Sequence, residues 1–361
     1  MSRIVSLVSH LSPTSNALRI ATATADFPEI HVTVASFYDD STAGEYDIEI
    51  VPLQANSRFD VAAFYRLWQL LLQGDVDIVH THDNFIGSVA RVLGTLADVS
   101  IVDTEHRQHD SFTMLQNAVN APTIALADRV VANSKATERS FLSIERALLD
   151  SHQIAVIHNG VDIACVDSAI TEGTGRDKAD GIRIITVGRL VKVKNQKLLL
   201  RAFAIVLKSF PEAELVVVGG GPLRKELEDF VDSLGIQKQV HFLGEIPRKE
   251  VYSQLTHSDL FALPSSSEGF CVAAVEAMAA GLPVVVSDID VLHEVVGEPG
   301  VFADPDDPIE FADALIALAE DQERRERLGT EAKERARSNF SLERTAREYY
   351  NIYKQIAESA E

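Results

Sequence analysis

The stretch IRIITVGRLVKVKNQKLLLRAFAIVLKSFPEAELVVVGGGPLRKELE (182–228) decides the fold. It opens with a short apolar run that stops at Gly188. A helical pattern follows over about 195–209, with apolar residues three and four apart. A second apolar run, AELVVVG (213–219), ends in a glycine turn before a charged helical stretch over about 222–234. Strand, helix, strand, turn, helix is the repeating unit of a parallel sheet covered by helices.

The alternation extends in both directions. Downstream lie the strands QVHFLG (239–244), DLFALPS (259–265) and PVVVSD (283–288), with helices over about 248–257, 271–280 and 306–320. Upstream lie IVSLVS (4–9), IHVTVASF (30–37), DIVHTH (77–82), SIVDTEH (100–106) and RVVANS (129–134), with the helix FDVAAFYRLWQLLLQG (59–74) among them and Gly74 as its stop. The polar segment VDSAITEGTGRDKADG (166–181) reads as a linker. The expected fold class is therefore α/β: two doubly wound, Rossmann-like domains, 1–165 and 166–340, followed by an amphipathic helical tail over about 341–361. A length of 361 residues suits two cores better than one. Ligands on such sheets bind beyond the carboxyl ends of the strands, so two domains facing each other would enclose a cleft.

Composition narrows the function. The net charge of −21, from 54 acidic and 33 basic residues, argues against a general nucleic-acid role, which needs a basic face. The excess is spread evenly over the chain, as on an ordinary acidic protein or one from a salt-rich cytoplasm. Cys165 and Cys271 are too few and too far apart for a disulfide framework. No run of eighteen apolar residues is present, and SRIVSLVSH (2–10) reads as a first strand, not a leader. The expected location is cytoplasmic, with peripheral contact at the inner face of a membrane as a variant that the charge does not support.

Three strand-to-helix junctions of the second half carry candidate chemistry. After Gly188 come Arg189 and Lys194, a fork and a mobile point charge suited to a diphosphate, or else a solvated basic loop. In VVVGGGPLRKELE (216–228), Gly220 and Gly221 would let a ligand approach the backbone, with Pro222 in the first helical turn and the helix N-terminus offering N–H groups to an anion. In LPSSSEGFCVAAVEAMAAGLPVVVSD (263–288), Glu268 lies in a polar turn, and the amides of Gly269, Phe270 and Cys271 open a small-residue helix that holds Glu276. A buried carboxylate there must be paired or hydrogen-bonded. Sugar hydroxyls would satisfy Glu276, and so would a local arginine.

The segment SEGFCVAAVEAMAAGLPVVVSD resembles the signature of the retaining GT-B glycosyltransferase family (glycosyl transferases group 1, family 4 type). VGRLVKVKN, VVVGGGPLRKELE, VHFLGEI, HNGVD, DIVHTHDNF and ADRVVANS appear in that family's order. The resemblance implies a GT-B fold and transfer of a hexose-type sugar from a nucleotide-diphosphate donor to the hydroxyl of a glycan, lipid-linked or small-molecule acceptor. It implies that Arg189 and Lys194 hold the diphosphate, that Glu276 bonds the ribose, and that Glu268 lies near the donor sugar beside the amides of Gly269 to Cys271. Gly188, Gly220 and Gly221 would lie near the nucleotide, Leu243 along the base, and His106 at the reacting centre. The tail would pack back on the first domain. No cofactor or metal is expected, since basic groups and helix dipoles neutralise the diphosphate. Asp288-Ile289-Asp290 and Asp75-Val76-Asp77 imitate a metal-binding pair but read as strand-end polar residues. No carboxylate pair suggests double displacement.

The chain departs from the family in SHLSPTSNALR (9–19), which lacks a Gly-Gly loop; Ser12, Thr14 and Ser15 could donate hydrogen bonds instead. Cys271 also stands where a small residue, often Gly, is common. His80 and His82 are assigned to opposite faces of their strand, with His82 either lining the acceptor side or serving a structural role. The Trp68 helix reads as core-facing. Two other functions share such a fold. A sugar-nucleotide epimerase would interconvert donors with no acceptor, and a non-catalytic sensor would bind the donor without turnover.

Overall fold

The structure, a computed structural model, describes residues 1–12, 15–38, 47–73, 75–109, 112–172 and 181–360. Thr14, Gly74 and half of the expected linker, residues 173–180, therefore lie outside the described residues. The chain divides into two compact units, one of Met1–Gly160 with the segment from Leu342 onward, the other of Val161–Ser341.

The first unit holds a seven-stranded sheet. Its strands are β1 (Ser2–Val8), β2 (Ile30–Tyr38), β3 (Glu49–Ala55), β4 (Ile78–Thr81), β5 (Ser100–Glu105), β6 (Arg129–Ala132) and β7 (Ile154–Val156). Their order is β3-β2-β1-β4-β5-β6-β7, and every pairing is parallel. Side chains alternate between two cores, as the period of two requires. Val5 and Leu7 join Phe37, Leu67 and Leu71 on one face. Ile4 and Val8 join Leu18, Tyr349 and Tyr353 on the other. Both faces are buried, so the strands read as continuous apolar runs.

The C-terminal helix, Leu342–Ala360, belongs to this unit. Its buried stripe is Ala346, Tyr349, Ile352, Tyr353 and Ile356, at helical spacing. Complete burial of one such side chain contributes about 1.5–3 kcal/mol. The helix Val61–Leu72 starts at Asp60, whose carboxylate accepts from the amides of Ala62 and Ala63. It packs Ala63, Leu67 and Leu71 inward, as the core-facing reading expects, and leaves Val61, Tyr65 and Leu72 exposed.

The second unit holds a six-stranded parallel sheet of β8 (Arg183–Val187), β9 (Glu214–Val218), β10 (Val240–Gly244), β11 (Leu260–Leu263), β12 (Val284–Ser287) and β13 (Val301–Ala303). Its order is β10-β9-β8-β11-β12-β13.

Three strands escape the sequence reading, and all are sheet edges. β3 contains Pro52, which demotes a run to edge or loop. β7 and β13 have three residues each, too few to show a period. The expected linker is a helix at its start, since Ile163–Glu172 is helical. No helix among the described residues is long and apolar enough to cross a membrane.

Candidate active site

In the second sheet the chain runs from β8 outward through β9 to β10, then returns to the other side of β8 as β11. The loops after β8 and β11 therefore leave in opposite directions, and a crevice opens between them at the carboxyl ends of the strands. Both basic candidates and Glu268 sit on these two loops. A single 3-10 turn, Lys192–Lys194, follows Gly188, and Asn195, in the left-handed region at φ 50°, leads into the helix Gln196–Ser209. The loops are tied where the amide of Ser266 donates to the carbonyl of Val193 at 2.8 Å.

Across this tie Lys194 Nζ donates to Glu268 Oε1 at 2.5 Å. Burial alone would lower the Lys194 pKa, but the Glu268 carboxylate outweighs it and the pKa is raised. Lys194 is therefore an ammonium at neutral pH. Arg189 is exposed, and its guanidinium makes no ion pair among the described residues, while its carbonyl is pinned by Gln196 Nε2 at 2.9 Å. Arg189 and Lys194 thus place two cations beside the Glu268 carboxylate.

Gly269 is half-buried and Phe270 buried, and Cys271 occupies the N-cap of the helix Val272–Ala279 at φ 76°. That left-handed backbone explains why a glycine suits the position. Burial pushes the Cys271 thiol up to about 12, so it is no thiolate nucleophile.

The glycine turn after β9 is shaped by the protein's own backbone. A side chain on Gly219 (φ 130°) would meet the carbonyl oxygen of Gly188 at 2.1 Å, and one on Gly221 (φ 152°) that of Leu190 at 2.5 Å. These glycines admit the neighbouring β8 loop; at Gly220 the Glu245 carboxylate lies 2.6 Å from the same point. Leu190 N donates to the Gly220 carbonyl at 2.8 Å, which docks the turn beside Arg189. Pro222 lies in the turn and the helix begins at Arg224. Leu243 is exposed one residue before Gly244, whose carbonyl accepts from Gly219 N at 2.8 Å.

Glu276 is buried in the helix Val272–Ala279. Of the two ways to satisfy it, the arginine is present: Glu276 is ion-paired with Arg248, and Tyr252 donates to its Oε1 at 3.3 Å. Sequence reasoning allowed for a local arginine without placing it at Arg248, and it missed Tyr252. Their four-residue spacing, which puts them on one face of the helix Arg248–Thr256, was the available signal.

The first sheet switches between β1 and β4. A cavity of about 280 Å³ lies there, lined by Ser9, His10, Ser15, Asn16, His82 and His106 among others. Ser15 caps the helix Asn16–Ala25 by accepting from Leu18 N at 3.3 Å. His82 Nδ1 lies 3.2 Å from His106 Nε2, and His82 Nε2 lies 3.3 Å from Ser6 Oγ. His106 Nδ1 is buried with no hydrogen-bond partner among the described residues. Burial holds the His106 pKa down to about 4 and that of His82 well below its ordinary value, so both rings are neutral.

The assignment of His80 and His82 to opposite faces is wrong. Residues two apart on a strand share a face, and the two rings are 3.9 Å apart. His80 is buried, with Nδ1 2.6 Å from the Tyr353 hydroxyl and Nε2 2.7 Å from Thr104 Oγ1, a structural role.

A larger cavity, about 570 Å³, opens at the opposite, amino-terminal edge of the second sheet beside Ile182, Ala213 and Pro283. It touches none of the candidate residues. The aspartate pairs serve locally: Asp75 pairs with Arg3 at 2.8 Å, and Asp288 Oδ1 lies 2.6 Å from His293 Nε2. Among the described residues no group of three or more His, Cys, Asp or Glu side chains is placed to hold a metal ion.

Two family profiles match the chain: "Glycosyltransferase Family 4" over residues 18–164 and "Glycosyl transferases group 1" over residues 169–335. The D-inositol 3-phosphate glycosyltransferase of Corynebacterium urealyticum is 30% identical over 316 residues, covering 78% of this chain and 72% of that protein. Its counterpart from Corynebacterium diphtheriae is 31% identical over 306 residues, covering 77% and 70%. Among solved structures, Anabaena Alr3699/HepE in complex with UDP and glucose aligns with a TM-score of 0.85 at 19% identity, over 98% of this chain and all of that one. Sucrose-phosphate synthase from Thermosynechococcus elongatus aligns at 0.81 and 19% identity, over 99% and 100%. These structural likenesses speak to the fold, that of GT-B glycosyltransferases.

Proposed function

The chain belongs to the group 1 glycosyltransferase family, and from that premise we propose that it moves a hexose-type sugar from a nucleotide-diphosphate donor to an acceptor hydroxyl, with retention and without a metal. The observation that carries this reading is the Arg189–Lys194–Glu268 group at the switch point of the second sheet. As the glycosidic bond breaks, negative charge grows on the leaving phosphate, and fixed cations there contribute about 3–4 kcal/mol each. Lys194 is charged and held in place by Glu268, while Arg189 is exposed for a fork-like contact. The amides of Gly269 to Cys271, at a helix N-terminus, add donors. In this reading Glu276 takes the ribose, Gly188, Gly220 and Gly221 flank the nucleotide, and Leu243 lies along the base.

His106 is assigned to the reacting hydroxyls. Its unpartnered Nδ1 supports this, since buried polar atoms are otherwise paired. The cavity beside it is lined by serine, asparagine and histidine side chains, which suit a hydroxyl-rich small molecule. The names of the relatives point to an acceptor of the phosphorylated polyol class.

The test is a transfer assay with UDP-, GDP- and ADP-sugars and a polyol phosphate acceptor, reading the anomeric configuration of the product by NMR. One donor should give a product that keeps its configuration, at a rate unchanged by EDTA. Donor interconversion without acceptor, or inverted product, overturns the proposal. A rate abolished by EDTA and restored by manganese or magnesium overturns its metal-free part.

A further inference from the structure

Behind His106 lies a buried set of charged groups that the proposed chemistry does not use. Arg91, Asp103, Glu105, His109, Asn120 and Glu145 are all buried. They come from β5 and the loop after it, and from the helices Asn84–Leu96, Met114–Ile124 and Ser143–Leu148. Arg91 pairs with Asp103 at 2.8 Å and donates to Asn120 Oδ1 at 2.5 Å. Asn120 Nδ2 donates to Glu105 Oε1 at 3.0 Å and to Glu145 Oε1 at 3.2 Å. His109 Nδ1 lies 2.6 Å from Glu145 Oε2, and Nε2 lies 3.6 Å from Glu105 Oε1. Thr81 donates to Asp103, and the Arg91 guanidinium also reaches Ser88 and Thr123. The rings of Phe112 and Phe141 flank the His109 imidazole.

Three carboxylates therefore share two cations in a place that water does not reach, where an uncompensated charge is expensive. Burial by itself would lower the His109 pKa. The carboxylates of Glu145, hydrogen-bonded at 2.6 Å, and Glu105, 3.6 Å away, overcome that and raise it to about 9. The imidazolium is thus part of the fold at neutral pH.

The same residues clamp the loop on which His106 rides. The Glu105 carbonyl accepts from Asn133 N at 3.2 Å and the His106 carbonyl from Asn133 Nδ2 at 3.0 Å. At the other end His109 N donates to Ser140 Oγ at 2.9 Å. Side chains of Glu105 and His109 then meet across the loop. Arg107, between them, turns outward over the Phe112 ring.

We propose that His109 is a positioning residue: bridged between Glu105 and Glu145, it locks both ends of the 105–109 loop and so sets the His106 ring against His82. This rests on the reading of His106 given above. Without the cation, Glu105 and Glu145 repel each other and the loop shifts, and small displacements of a reacting group are costly.

The test is steady-state kinetics and thermal unfolding of H109Q, H109Q/E145Q and H106A in the full chain, with the donor and acceptor found above. Glutamine keeps a donor but removes the charge, so H109Q should lower kcat about tenfold with the donor KM within about twofold. Adding E145Q restores the parent's excess of one carboxylate and should return kcat to within about threefold of the parent. The parent rate should fall as pH rises through about 9, and the double variant should lack that fall. If H109Q does not fold, the double variant carries the test through its pH profile, and a fall near 9 that persists in it overturns the proposal. A lowered melting temperature in H109Q with an unchanged kcat also overturns it. H106A separates the two readings. Low kcat in H106A with normal kcat in H109Q defeats the positioning role alone, and normal kcat in both defeats the reading of His106 as well.

Discussion

Lys194→Ala is expected to lower kcat by about a hundredfold or more, the scale of losing one preorganised donor to a developing oxyanion. The structure makes the expected loss larger than the sequence suggests. Lys194 is bonded to Glu268 at 2.5 Å, in a crevice where the lysine side chain is 18% exposed and the glutamate 9%. Removing the ammonium takes away a cation and also turns a bare carboxylate toward the diphosphate. Like charges repel most where water is scarce. The loss should be in kcat more than in donor KM, since charge on the phosphates grows in the transition state. The second diagnostic is non-additivity. K194A/E268Q should lose less than the two single losses combined, because the double variant no longer exposes an unpaired carboxylate. Arg189→Ala, at an exposed site with no carboxylate to unmask, should cost less than Lys194→Ala. Steady-state kinetics on the parent and the four variants with a common donor decides the matter. A K194A enzyme with full kcat and a raised donor KM would mean uniform binding, and the clamp would have no special role in the transition state.

Glu276→Ala is expected to injure both donor binding and stability. The proposed ribose contact is remote from the breaking bond, so its loss should raise the donor KM by an amount equivalent to about 1.5–3 kcal/mol and leave kcat near normal. The stability cost comes from what remains. Arg248 and Tyr252 both point at this carboxylate, and a buried partner left alone is penalised. Breaking a fully buried ion pair costs about 3–5 kcal/mol. The Arg248 side chain is 23% exposed and recovers some hydration, so about 2 kcal/mol is expected. Glu276→Gln separates the two effects, since it keeps the volume and the Tyr252 bond but not the charge. Thermal unfolding and a donor titration on both variants test this. A Glu276→Ala protein with an unshifted Tm shows that Arg248 finds other company, and one with an unshifted donor KM removes Glu276 from the ribose.

The pH dependence of stability has a definite sign at His109. Its folded-state pKa, about 9, is above the ordinary histidine value of 6.5. Its contribution is fully present below about 6.5 and is lost as pH rises through about 9. Unfolding midpoints measured across that window should fall toward alkaline pH, and H109Q/E145Q should lose that portion of the slope.

Much of the scaffold was legible along the chain because its rules are local. β8, β9 and β12 are buried on both faces and announce themselves as apolar runs closed by turns. The helix Gln196–Ser209 shows its stripe in the spacing of Leu199, Phe203 and Val206. The edges β3, β7 and β13 were silent, since a strand paired on one side only can be short or hold a proline. Arg189, Lys194, Glu268 and Glu276 stood out by residue type and position. The backbone contacts of the glycine turn did not, because Gly219 and Gly221 answer to the backbone of Gly188 and Leu190, 31 residues away by sequence.

The sequence by itself determined the alternation of strands and helices, the two Rossmann-like halves, the family, and which side chains could carry charge to a diphosphate. Periodicity, turn chemistry and motif spacing suffice for these. Only the tertiary structure decided who pairs with whom. Lys194 and Glu268 are 74 residues apart, and His109 and Glu145 are 36 apart. Parallel strands joined by crossover helices bring such distant loops to one sheet edge. Burial there turns proximity into obligatory pairing, because a charge withdrawn from water must find its partner inside the protein.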